Sequence, residues 1–136
     1  MTDAIVATAP FVKIESAALT PVVQIAPMPP GRSYLVLATG HVHISHALVS
    51  IELEAFGAKD WTQAAEGGIN IHAFSLTVGT TLPADEDLFT VAKLSAGIAD
   101  VLSSDPHETA DVSVTARLVL LAVDTVTVQG EQAGLL

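Results

Sequence analysis

SYLVLATGHVHI, residues 33–44, alternates with a period of two: Tyr34, Val36, Ala38, Gly40, Val42 and Ile44 fall on one side, and Leu35, Leu37, Thr39, His41 and His43 on the other. A strand that buries the first row accounts for this order, and a helical period does not. ALVSIELEAF, residues 47–56, repeats it with Val49, Ile51, Leu53 and Ala55 inward and Ser50, Glu52 and Glu54 outward. DVSVTARLVLLAVDTVTV, residues 111–128, does so again. There Val112, Val114, Ala116, Leu118, Leu120 and Ala122 face in, and Ser113, Thr115, Arg117, Val119 and Leu121 face out. Three such segments predict an all-β fold.

Around these strands the signals are weaker. INIHAFSLTV, 69–78, reads as a strand entered through a turn at Gly67-Gly68 and left near Gly79. FVKIE and ALTPVVQIA read as two short strands, with Pro21 confining the second to an edge or a bulge, and MPPGR turns the chain into the Tyr34 strand. PADEDLFTVAKLSAGIADVLSSDP is ambiguous. Leu88, Val91, Leu94, Ile98 and Leu102 recur at helical spacing, whereas Leu88, Thr90, Ala92, Leu94 and Ala96 alternate, and Gly97 interrupts a helix. We read a strand over 87–96 and a loop over 97–110. The sum is an antiparallel β-sandwich of the jelly-roll kind with about eight strands.

The chain has 136 residues, enough for a single domain across 1–136, with 1–17 as an N-terminal arm or edge strand and 129–136 as a C-terminal tail. Half of the residues are apolar but only 4% are aromatic, so Val, Leu, Ile and Ala must build the core. A mean hydropathy of +0.54 is high for a small soluble monomer, and it predicts apolar surface buried against other chains. The formal net charge of -10 repels phosphate backbones and anionic lipid, so neither nucleic acid nor a membrane is an expected partner. Without cysteine there is no disulfide and no thiolate chemistry. MTDAIVATAP places Asp3 where a secretory signal needs positive charge, so synthesis in the cytoplasm without export is expected.

GHVHISH, residues 40–46, gathers His41, His43 and His46. An H-x-H pair on a strand turns both imidazoles to one side, as β-sandwich metal sites require. The cupin pattern G-x5-H-x-H-x3,4-E-x6-G is nevertheless broken. Ala47 and Leu48 stand where its glutamate belongs, Leu35 stands where its glycine belongs, and Glu52 lies too far along. His72 and His107 are the remaining distant ligands, and no motif surrounds either. His41 and His43 therefore read as outward or interface side chains, His46 as a polar turn residue, and no cofactor is expected.

Other constellations are sparse. No serine lies in a G-x-S-x-G context, and ADEDLF lacks the D-x-[DN]-x-[DN]-G spacing of a calcium loop. SSDPHET, residues 103–109, has the composition of a surface loop. Trp61 in AKDWTQAAEGG could stack on a sugar, but a tryptophan covering the end of the sandwich is the commoner arrangement.

Taken together, GRSYLVLATGHVHI, ALVSIELEAFG, INIHAFSLTVGTTLPADEDLFTVAKLSAG and ADVSVTARLVLLAVDTV resemble small jelly-roll domains of tailed-bacteriophage virion proteins. The likeness spans residues 18 to 128 and is carried by strands and turns. The architecture also looks like that of tumour-necrosis-factor and complement globular domains, which associate as trimers. The resemblance implies a non-enzymatic virion component, a capsid decoration or cement protein or a head- or tail-associated domain, assembled as a homo-oligomer, a trimer above all, beside other virion proteins. Outward Leu35, Leu37, Val119 and Leu121, with His41 and His43, are the expected interface. Two other functions fit parts of the sequence: a carbohydrate- or host-surface-binding module using Trp61, and a cupin-like metalloenzyme using His41 and His43.

Overall fold

A computed structural model of the chain describes residues 4–86, 90–102 and 110–123. Six antiparallel strands follow one another: β1 (Ala4–Ile14), β2 (Thr20–Ile25), β3 (Ser33–Ala55), β4 (Ala58–Thr81), β5 (Ala92–Val101) and β6 (Asp111–Ala122). Two of them are long enough to serve twice. The first half of β3 pairs with β6 on one side and with the second half of β4 on the other. The second half of β3 pairs with β5 and with the first half of β4. β1 then extends the first sheet beyond β6, and β2 extends the second beyond β5.

The outcome is two four-stranded layers, β1-β6-β3-β4 (sheet I) and β2-β5-β3-β4 (sheet II), closed over a shared core. The jelly roll expected from the alternation is present, and its eight strand segments come from six strands. Among the described residues no helix is long and apolar enough to cross a membrane.

The bend in β3 lies at His46, whose φ of 54° places it in the left-handed region. Pairing shifts there by one residue between Ser45 and Ala47. His46 alone stands opposite both Gly67 and Gly68, so β4 carries the extra residue and β3 changes which parity faces inward. Tyr34, Val36, Ala38, Val42 and Ile44 point into the core before it, and Ala47, Val49, Ile51, Leu53 and Ala55 after it. His46 is thus a buried pivot in the middle of a strand, a correction to its reading as a polar turn residue: a tight turn would have reversed the chain.

The pivot is held at two points. The His46 ring nitrogen Nδ1 lies 2.7 Å from the Gly67 carbonyl oxygen. Its own carbonyl accepts a hydrogen bond from Leu102 N at 2.8 Å. β4 bends opposite it, running through Gly67-Gly68, so these glycines lie within a strand and do not form the expected turn. The true reversal is the two-residue connection Phe56-Gly57, with φ of 45° and 82°.

β5 settles the ambiguous segment. It is a strand, displaced from the expected 87–96, and Ile98–Val101 belong to it instead of to a loop. Residues 87–89 and 103–109 lie outside the described residues, as do 124–136, so the extension of the last strand to Val128 and the C-terminal tail are not described. Gly97 sits in β5 because the β1–β2 connection presses against it: a Cβ there would lie 2.9 Å from the carbonyl oxygens of Ala17 and Ala18. β1 begins at Ala4 and runs along β6 of its own chain, with a bulge between Ala9 and Val12. Pro21 falls both on an edge strand and at a register shift.

The core is aliphatic, as the composition requires. Val36, Val42, Ile44, Val49, Ile51, Leu53, Leu94, Leu118 and Leu120 are almost wholly enclosed. Met28 is fully buried and unforeseen, carried in by a loop whose backbone donates to the Thr90 carbonyl.

Candidate functional site

The outer face of sheet I collects every residue expected to form an interface. Leu35 stands opposite Leu121, and Leu37 opposite Val119. Val6 continues the row beyond Val119 on β1 and is 47% exposed. Cross-strand neighbours on one face of a sheet touch, so these side chains form one apolar ladder near the Ser33 end of β3. The four predicted residues are half-buried in the isolated chain, because each covers its neighbours.

Farther along the same face, His41 lies between Thr115 and Ala73, and His43 between Ser113 and Ile71. Both imidazoles are exposed, pointing away from the core. Ile69 and Ile71 beside them are 81% and 54% exposed. Among the described residues no three His, Asp or Glu side chains come together as a group that could hold a metal ion. Glu52 lies on the outer face of sheet II, on the opposite side of the sandwich from His41. His72 is occupied otherwise, its Nε2 2.7 Å from a Glu66 carboxylate oxygen, and His107 lies outside the described residues.

Charge is scarce on this face. Among the outward positions of sheet I the charged side chains are Lys13, Asp111 and Arg117, and Lys13 and Asp111 pair at 3.4 Å. Among the described residues the acidic surplus therefore lies elsewhere.

Between the ladder and the histidines a groove of about 470 Å³ crosses all four strands. Its floor is the row Ala9, Ala116, Gly40 and Phe74. Thr8, Arg117 and Thr39 form one wall, and Thr115, His41 and Ala73 the other. The floor is low because β3 and β6 approach closely at Gly40, where a Cβ would overlap the Thr115 carbonyl oxygen and lie 2.9 Å from Ala116 Cα. Sequence reasoning passed over Gly40 as one more inward position, although a glycine inside a strand is the usual sign of such an approach.

Sheet II presents a different exterior. Glu52 and Glu54 on β3 stand beside Trp61 and Lys59 on β4. Lys93 on β5 reaches Glu54 at 3.7 Å. Trp61 is 63% exposed on β4, the edge strand of this sheet, and points out from its face beside Glu52, so it does not cover the end of the sandwich as expected. Its strand was missed altogether. The inward positions Ala58, Asp60, Thr62, Ala64 and Glu66 are small or polar, and Asp60 is used to fasten one half of β4 to the other by accepting a hydrogen bond from Thr77 N at 3.1 Å.

No protein-family model matches this chain, and no curated protein does. Among solved structures it is similar to the PRD1 vertex protein P5, with a TM-score of 0.48 and 10% identity, covering 89% of this chain and 94% of that one. It is similar also to VP2 of the infectious bursal disease virus subviral particle, with a TM-score of 0.47 and 16% identity over 88% of this chain and 32% of that one. A third likeness, at a TM-score of 0.27 and 9% identity, is to the virus-like particle of the Macrobrachium rosenbergii extra small virus, over 85% and 79% of the two chains. These likenesses assign no role to this chain.

Proposed function

We propose that this protein is a non-enzymatic structural component of a virus particle, working as a homo-oligomer with three-fold symmetry favoured, in the manner of a capsid decoration or cement protein or a head- or tail-associated protein of a tailed phage. The jelly roll alone does not decide this, since capsid proteins, lectins and cupins share it. The observation that carries the reading is the outer face of sheet I. A chain of net charge -10 keeps that face nearly free of charge and lays Leu35, Leu37, Val119, Leu121 and Val6 across it.

Each such side chain, about half of it already covered within its own chain, contributes roughly 1 kcal/mol once a second chain covers the rest, and like-charge repulsion is smallest on this face. His41 and His43 extend the contact, and other virion proteins would meet the acidic remainder. Light scattering of the purified chain tests the reading. An oligomer, converted by Leu37→Glu to a folded monomer, is the expected result; a monomeric parent chain would overturn it.

Trp61 favours a second reading. A tryptophan 63% exposed on a flat, hydrogen-bonding surface with Gln63, Ser50 and Glu52 has the makings of a sugar platform. Glycan-array binding that disappears in Trp61→Ala would support it. The metalloenzyme reading rests on His41 and His43 alone, two outward imidazoles without a converging third ligand among the described residues, and elemental analysis of the light-scattering peak tests it.

A further inference from the structure

The bulge in β1 leaves Pro10 and Phe11 together opposite Thr115, and Phe11 is 66% exposed, an aromatic ring in water on a chain that has few. Pro10 lines the β1 end of the groove across sheet I, and the groove runs from there to Ala73 and Phe74 on β4, the other edge of the sheet. Ring and groove thus occupy the same face, with the ring outside one end and the groove open towards the other. We propose that Phe11 of one copy seats in the groove of the next copy, so that the joint between copies is a ring-in-groove contact repeated head to tail.

This rests on reading the chain as a homo-oligomer, and it adds which side chain enters which surface. A knob at one edge of a sheet and a receiving groove reaching the opposite edge form a heterologous contact, which generates a ring where the rotation between copies closes. The groove matches the occupant in chemistry. Its floor is apolar, it is large enough for a phenyl group, and Arg117 in its wall supplies a cation at the rim where a ring would enter. The occupant is a second copy and not a separate acidic partner, because Phe11 is itself part of this face and the face carries almost none of the charge that would keep two copies apart.

Two substitutions at exposed positions separate knob from groove: Phe11→Ser removes the ring, and Thr39→Trp fills the groove. Each is expected to leave the circular dichroism spectrum and unfolding midpoint of the chain unchanged, and to weaken self-association about 10- to 100-fold in sedimentation velocity. An equimolar mixture is expected to form a heterodimer that neither variant makes alone, since one sound joint remains between the ring of the Thr39→Trp chain and the groove of the Phe11→Ser chain. If both variants assemble like the parent while Leu37→Glu is monomeric, the sheet I interface stands and this joint is wrong. If Thr39→Trp alone weakens assembly, a different segment fills the groove and the assignment of Phe11 is overturned. A parent chain that is monomeric throughout sinks this inference and the proposed function together.

Discussion

The outer faces of the two sheets are made largely from the same two strands, β3 and β4, yet they expose opposite chemistries. Before His46, β3 turns Leu35, Leu37, Thr39, His41 and His43 outward; after it, Leu48, Ser50, Glu52 and Glu54. The first set meets Leu121, Val119 and Arg117 on β6, and the second meets Lys93 and Ser95 on β5. A single strand therefore supplies an uncharged surface suited to association and a charged one suited to water. Burial inside the sandwich barely distinguishes the halves, since both bury an apolar row, interrupted in the first only at Gly40. The two halves differ in the outward parity, where packing leaves the choice of residue free.

The comparison can be broken most severely at Gly40, where sheet I is thinnest. Gly40→Ala must push β3 from β6, and we expect a loss of about 4 kcal/mol or more, seen as insoluble chain or a collapsed urea midpoint. The pivot comes next. His46→Ala keeps a Cβ at positive φ and leaves the Gly67 carbonyl without its ring partner, for an expected loss of about 2 kcal/mol at unchanged urea slope. His46→Gly should lose less, because glycine accepts that backbone freely; equal losses would mean that the ring contact alone matters.

The faces themselves are tested by reciprocal changes. Leu121→Glu on sheet I is expected to abolish assembly in light scattering with a change in stability of the monomer within about 1 kcal/mol, whereas Glu52→Leu on sheet II should leave the assembled mass unaltered. Equal effects of the two would erase the distinction drawn between the sheets. The smallest effect is expected at Lys93→Ala. Its ion pair with Glu54 is 3.7 Å long and solvent-exposed, so the change in unfolding free energy should stay within about 0.5 kcal/mol.

Much of this architecture was legible as alternation. Rows such as 34–44 and 112–122 need a strand to bury them, and Pro21 marked an edge and a bulge. What escaped has a common cause. The first half of β4 lies at the rim of sheet II, where Asp60, Thr62 and Glu66 replace an apolar row, so there was no period to find. His46 and Gly67-Gly68 look like turns because bends and reversals draw on the same backbone conformations. The apolar ladder was visible as Leu35, Leu37, Val119 and Leu121, but its partner Val6, the Gly40 groove and the place of Phe11 depend on register between strands far apart in the chain, which one chain read alone does not reveal.

That same pairing of β1 with β6 has a consequence for how the protein is made. Ala4 lies against Leu121, so among the described strands the first to leave a ribosome waits for the last. At typical elongation rates the interval is on the order of ten seconds. During it the β3–β4 hairpin can form from residues joined by a two-residue connection, while β1 persists as a strand without its neighbour, bearing Val6 and Phe11. When many copies are synthesised together, the earliest encounters between them fall in this window, and an immature chain that captures another chain's β6 in place of its own would exchange strands before either sandwich has closed.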